Sequence, residues 1–356
     1  MDQEVLPLLL DQYHEHMQKI YDLGMKIRKE IKNEGEDFSL MNTDMKNTYQ
    51  EYLKENLFYL FQYYIKKTII EEKSIDQDPD FPDFINDIRN IKLCHYTSFE
   101  ALNSIIKNKT LKFNSLSNMN DRSEGEILFV IVENLIKQNT QAAEEAKTKL
   151  IQTTREQIFN DVFSFSLTTE YDDAPQWERY TDKDTSVCLV SSIHKIGMLP
   201  HIQSNICHFN YGPIYYTHNT IPKGFDYVLY CNLYRTDVNS KNKGDMFEDL
   251  PTNCAFIKCS SFKNEREVRL VVERKNSQSD DYFTRKISDT LKPYILFNLD
   301  KYCQKFNRNN NFFESFFDEI IIGPQSQITE ENLRRYLKEH NINNIRVTKS
   351  NSKLKR

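Results

Sequence analysis

Three short stretches hold the side chains with chemistry to offer. In "LCHYTS" a lone histidine, His95, closes a short apolar run, and Thr97 follows two positions on. Such a histidine is either a core residue with its hydrogen bond satisfied or a ligand-gripping group at the mouth of a cleft. On a strand, neighbours face opposite sides, so His95 and Thr97 share one face and Tyr96 takes the other. In "NEREVRLVV" Glu265, Glu267 and Arg269 alternate, and a strand there projects all three to one face. That row is either a solvated strand face or a working one, with Glu267 as a cleft carboxylate and Arg269 orienting it or binding phosphate. Glu267 is preferred to Glu265 because it lies deeper in the apolar stretch. "DDAPQWERYTD" holds the only tryptophan, Trp177, in a polar and aromatic loop with Tyr180. Trp177 either stacks on a base or plugs the core beneath that loop. "NMNDRSEGE" adds Asn120, Asp121 and Glu124, which either cap the following helix or line the cleft opposite Glu267. Arg122 and Arg179 either meet a diphosphate or lie at the surface.

Other constellations are absent. There is no Gly-x-x-x-x-Gly-Lys loop, no Gly-x-Ser-x-Gly elbow and no His-Glu-x-x-His. His14 and His16 stand two apart on an expected helix, where their rings diverge, so no metal site is expected there. His201, Cys207 and His208 lack metal-ligand spacing. The seven cysteines are scattered and none forms a Cys-x-x-Cys pair. They read as buried thiols in a reducing cytoplasm.

The elements that must position these residues follow from composition and periodicity. The 356 residues suffice for one large domain or two ordinary ones. Phe and Tyr, 23 and 20 of them, can supply a core. Eight glycines argue against a glycine-rich nucleotide fold, and a net charge of -5 against a global field for nucleic acid. The start lacks the basic and small-residue signature of a signal peptide. The most apolar run, 57–65, is too short to span a bilayer, so a cytoplasmic protein without membrane partners is expected.

Residues 1–84 read as a helical hairpin. Val5, Leu9, Tyr13, Met17 and Ile20 step by three or four, as do Tyr49, Leu53, Leu57 and Leu60. Its aromatic stripe suits a protein partner or a regulatory contact. "IDQDPDFPDF" is a turn-rich linker that sets off residues 85–356. Beyond it, "IKLCHY" is a strand, "SFEALNSIIKN" a helix capped by Ser98, and "TLKFNS" a strand. Two helices are expected over 124–159. After them, "VFSFSLT", "TSVCLVSS", "ICHFNYGPIYYT", "CAFIKCSSF", "EVRLVVER", "FDEIIIGP" and "NIRVTKS" read as strands, with "TEENLRRYLKEHN" a capped helix before the last. Many short strands with few helices between them make an α+β fold, not a doubly wound sheet.

"HYTSFEALNSIIKNKTLKFNSLSNMNDRSEGE" resembles the opening of a bacterial family, the domain of unknown function 2971 group. "VFSFSLTTEYDDAPQWERYTDKDTSVCLV", "FKNEREVRLVVE" and the stretch from "FDEIIIGP" to "NIRVTKS" resemble three later blocks of it, in order, over residues 91–350. The His-x-Thr opening is also similar to the start of the ADP-ribosyltransferase fold. That resemblance implies a mixed, mostly antiparallel split β-sheet with flanking helices, and NAD as substrate. It implies that His95, with Tyr96 and Thr97, grips the ribose, and that a middle-strand aromatic or serine supports the nicotinamide. Glu267, or Glu265, would be the catalytic carboxylate; Asn120, Asp121, Trp177, Tyr180 and Arg269 would complete the nucleotide site. The setting it implies is a bacterial effector or toxin, as in phage defence, with nucleic acid one possible acceptor. The other class of reading is a non-catalytic module that binds a nucleotide or a protein.

Overall fold

The computed structural model describes residues 91–116, 161–197, 207–217, 254–274, 282–289, 292–305 and 311–353, with isolated residues before 48. The chain divides into two units, 1–91 with 221–246 and 92–220 with 247–356. The second is described here. Apart from the isolated residues, the expected hairpin lies outside the described residues, as do Asn120, Asp121 and the helices expected over 124–159.

The sheet is built around β3 (Val162–Thr168). Along one edge β3 pairs over its full length with β8 (Glu267–Arg274), from Val162 against Glu273 to Thr168 against Glu267. The far edge of β8 takes β5 (Cys207–Pro213). The other edge of β3 is shared. β1 (Lys92–Ser98) meets it only at Thr168, through Cys94. β2 (Thr110–Ser115) meets it only at Ser164 and Phe163. Residues 165–167 have no ladder partner on that edge, and there the sheet splits into two arms.

The first arm runs from β1 to β4 (Ser186–Ser192), β11 (Glu319–Ile322) and β12 (Arg346–Lys349). The second runs from β2 to β10 (Pro293–Asn298) and β9 (Phe283–Ile287). Every pairing in this ten-stranded sheet is antiparallel except β11 with β12. The architecture is α+β, with a mixed and mostly antiparallel sheet. β6 (Tyr215–Thr217) and β7 (Ile257–Cys259) form a separate parallel pair.

Helix α1 (Phe99–Asn108) joins β1 to β2 across the split. Ser98 caps it by accepting from the Ala101 N–H at 3.3 Å. Leu102, Ile105 and Ile106 are its buried stripe. Lys109 closes it in the left-handed region, φ 54°. A second helix, α2 (Ala174–Tyr180), stands where a loop was expected. Asp173 caps it by accepting from the Gln176 N–H, and Pro175 fits its first turn, which lacks a backbone partner anyway. α3 (Ile193–Gly197), α4 (Leu299–Lys305), α5 (Phe312–Phe316) and α6 (Glu330–Glu339) complete the described helices of this unit. β9, β10, α4 and α5 had no reading in the sequence pattern. "CAFIKCSSF" is a strand only over Ile257–Cys259; Ser260–Glu265 turns into a 3-10 helix.

The core under β2, β10 and β5 is aromatic. Phe113, Phe209, Phe283 and Phe297 meet with ring centroids 5.0–6.3 Å apart. β11 leaves the sheet at Gly323, so close to Ser186 that an added Cβ would lie 1.9 Å from the serine hydroxyl.

Candidate functional site

The split opens onto a cavity of about 980 Å³. Its walls include His95, Ser166, Tyr180, Glu265 and Glu267, and its floor is the polar face of β2, β10 and β9. That volume is at the upper end of ordinary ligand pockets.

His95 sits where β1 peels away from β3. Its ring stacks on Phe165 at 4.2 Å, and its Nδ1 lies 2.8 Å from the Ser166 carbonyl oxygen. That carbonyl belongs to the stretch without a ladder partner, so the histidine satisfies it. Burial pushes the imidazole pKa down, against the upward pull of the carbonyl. The ring is therefore neutral near pH 7. Since a carbonyl only accepts, Nδ1 carries the hydrogen and Nε2 is left as an acceptor. Both sequence readings of His95 meet here: it is hydrogen-bonded to the core and lines the cleft.

Glu267 opens β8 and is held from several directions. Arg269 grips it with two bonds, Nε to Oε1 at 2.7 Å and Nη2 to Oε2 at 3.0 Å. Lys258 reaches Oε2 at 3.3 Å. The Ser166 side chain, on the same face of the sheet, also favours the ionised form of this carboxylate. Burial alone would raise the Glu267 pKa; Arg269, Lys258 and these hydrogen bonds overcome it and bring the value down to about 2. Ser166 is thus the joint of the site: its carbonyl meets His95 and its side chain shares the cavity wall with Glu267.

Glu265 arrives by a different route from the one expected. It ends the 3-10 helix instead of lying on the strand, and Arg266 follows at φ 42°. The left-handed residue turns the chain so that Glu265 and Glu267 still share Lys258, which lies 2.7 Å from Glu265 Oε2. The Tyr180 hydroxyl donates to Glu265 Oε1. The backbone carbonyl of Glu265 accepts from Thr168 Oγ1 at 2.6 Å and Gln176 Nε2 at 3.3 Å. Two carboxylates and two cations thus form one charge-balanced cluster.

Arg269 is 0% exposed, and its Nη1 donates to the Ala255 carbonyl at 2.8 Å. It orients Glu267, and burial removes it from phosphate binding. Trp177 is also not a stacking platform. It is 2% exposed, lies edge-on to Tyr96 at 4.7 Å, and donates its Nε1–H to Asp172. Tyr96 packs with it among Cys94, Cys188, Val190 and Ile321. The Tyr96 hydroxyl donates to the Glu170 carbonyl and accepts from the Asp173 N–H. Its hydrogen bonds are spent on the chain, not on a ligand. Thr97 and Tyr180 line the cavity, and Tyr180 is the half-exposed aromatic there.

Sequence reasoning missed Ser166 and Lys258. The serine had a signal. "VFSFSLT" alternates large apolar residues with Ser164, Ser166 and Thr168, which share the face of Glu267 and Arg269 on β8. Lys258 had none, because a 3-10 turn separates it from the carboxylates it serves.

No family model, no curated protein and no solved structure matches this chain. Among the described residues no helix is long and apolar enough to cross a membrane.

Proposed function

We propose that the cavity binds NAD or a related nucleotide and that the domain is an ADP-ribosyltransferase-like, NAD-consuming enzyme of a bacterial effector or defence system. The observation that carries this reading is Ser166, which joins His95 and Glu267 in one cavity at the split of the sheet. The resemblance of the opening motif adds to it. In the reaction the bond from ribose C1′ to nicotinamide breaks, and its electron pair leaves with the nicotinamide nitrogen. An acceptor lone pair, from water or another molecule, then bonds C1′ and gives up its proton.

Each residue has a role suited to its state. Neutral His95 accepts a ribose hydroxyl at Nε2 and fixes the sugar. Glu267, ionised at any working pH, stabilises positive charge developing on the sugar. With a pKa of about 2 it is a poor general base. The acceptor's proton therefore goes elsewhere, to solvent or to the acceptor's own site. Ser166 stands in the place of the middle-strand residue that supports the nicotinamide.

A second reading, a non-catalytic nucleotide-binding module, draws on the same cluster. Glu267 is so fully neutralised by Arg269 and Lys258 that its field at the cavity is weakened. The test uses NAD labelled separately in the nicotinamide and the adenylate. The enzyme reading expects nicotinamide release that is lost in both Glu267→Gln and His95→Ala, with melting temperature followed in parallel. Binding of NAD with no release by the wild-type chain would sink the enzyme and leave the module.

A further inference from the structure

We infer that the floor of the cavity, formed by β2, β10 and β9, is a binding site for the phosphate groups of a small nucleotide. The inference rests on the reading of the cavity as a nucleotide site, and gives that site a direction.

Register places the floor residues on one face. Asn114 pairs with Ser164 on one side and Tyr294 on the other, and Tyr294 pairs with Lys286. This makes one row across four strands. Lys112, Leu296 and Thr284 form the next row by the same pairing, and Thr110 with Asn298 the last. Directly paired residues project to the same face, and all of these line the cavity. The apolar alternates, Leu111, Phe113, Ile295, Phe297 and Phe283, point the other way into the core.

Charge settles what this face suits. Among the described residues, the only carboxylates lining the cavity are Glu265 and Glu267. Both are engaged by Lys258, and Glu267 by Arg269 as well. Among the described residues, therefore, no acid of the cavity wall balances the two exposed lysines of the floor, Lys112 and Lys286. Lys112 Nζ stands over the Tyr294 ring at 4.5 Å, which holds the ammonium beside the floor while leaving its hydrogens able to donate. Around the two cations stand neutral donors and acceptors: Thr110, Asn114, Thr284 and Asn298. Two ammonium groups among amide and hydroxyl groups match a diphosphate in charge and in hydrogen bonding. A sugar at His95 with its phosphates over β2 and β10 fills the cavity from split to floor.

The test is calorimetric titration of the full chain with pyrophosphate, ADP-ribose and adenosine, at low and at raised salt. Pyrophosphate and ADP-ribose should bind more weakly as salt rises, and adenosine should be nearly indifferent to it. Lys112→Ala with Lys286→Ala should weaken pyrophosphate and ADP-ribose by at least about tenfold, and the Lys→Arg pair should restore most of the loss. Both lysines are exposed, so a melting curve is expected to confirm an intact fold. Unchanged affinity in the alanine pair overturns the inference, as does a wild-type chain that binds adenosine as well as ADP-ribose. Chemistry is separable from it. Pyrophosphate binding that needs the two lysines, without nicotinamide release from NAD, keeps the phosphate site and removes the enzyme. Release with an unchanged KM in the alanine pair keeps the enzyme and removes the phosphate site.

Discussion

The two arms of the sheet differ in how many of their faces are buried. In the first arm, Ser186 through Ser191 of β4 and all four residues of β11 are buried. In the second, β2 alternates, with Leu111, Phe113 and Ser115 buried and Lys112 and Asn114 exposed. In β9 only Phe283 is buried. Within the first arm β4 and β11 form a middle layer, buried on both faces. The second has an aromatic core beneath and a polar face above, and that polar face is the floor of the cavity. A fold that needs a cleft obtains it by covering one arm twice and the other once. The trunk strands β3 and β8 are buried nearly as fully as the first arm, but their cleft-side face is polar, with Ser164, Ser166 and Thr168 on β3 and Glu267 and Arg269 on β8.

The sharpest test of this contrast is at the trunk. Arg269→Ala leaves Glu267 buried and short of its main partner, and should cost about 3–5 kcal/mol in denaturant unfolding. Glu267→Gln should fall in the same range, since it strands the arginine. An effect under about 1 kcal/mol would mean that the cluster is solvated and that the trunk resembles the floor.

Neighbouring positions in each arm come next. Ile320→Ala and Ile321→Ala, on opposite faces of β11, should each cost about 2–5 kcal/mol. In β2 Phe113→Ala should cost about 3–5 kcal/mol, while adjacent Lys112→Ala stays within about 0.5 kcal/mol. If Ile320 and Ile321 also separate into one costly and one neutral position, the distinction between the arms fails.

Acid should act on the cleft side first. His95, with its folded pKa below the ordinary 6.5, takes up its proton more readily in the unfolded chain. Stability should therefore begin to fall as the pH drops below about 6.5, and His95→Gln should remove that part of the slope. Glu267, lowered from 4.5 to about 2, stabilises the fold above pH 4.5 and loses that contribution as the pH falls toward 2. The loss amounts to about 3 kcal/mol, read from chemical unfolding at fixed pH values and diminished in Glu267→Gln. A smaller effect is expected at the bridge between the arms. Ser98→Ala, which removes the α1 cap, should cost about 1 kcal/mol and leave the binding of small ligands unchanged.

Local pattern carried much of this fold. The strands at 92–98, 110–115, 162–168, 186–192, 267–274, 319–322 and 346–349 stand where period-two or short apolar runs lie, and α1 and α6 begin at their capping Ser98 and Thr329. These signals are written within a few residues, so no other part of the chain is needed to read them. His95, Glu267 and Arg269 were likewise visible as chemistry out of place in apolar runs. β9, β10 and α2 were not. "FTRKI" has one buried residue, and "APQWERY" has no apolar stripe, so their structure comes from what they pair with or pack against.

The sequence by itself determined that short strands would build an α+β fold, that a histidine would stand on one of them and that Glu267 would begin another. Only the tertiary structure decided what surrounds them. The carbonyl of Ser166 needs His95, 71 residues earlier in the chain, because β1 and β2 diverge and leave part of one edge of β3 open. Glu265 joins Glu267 through a left-handed turn at Arg266 and a lysine before it, not through strand alternation. Trp177 is taken from the ligand side by Tyr96 and Asp172. Hydrogen-bond satisfaction and charge pairing in a buried site depend on neighbours brought from far along the chain, and no local spacing specifies them.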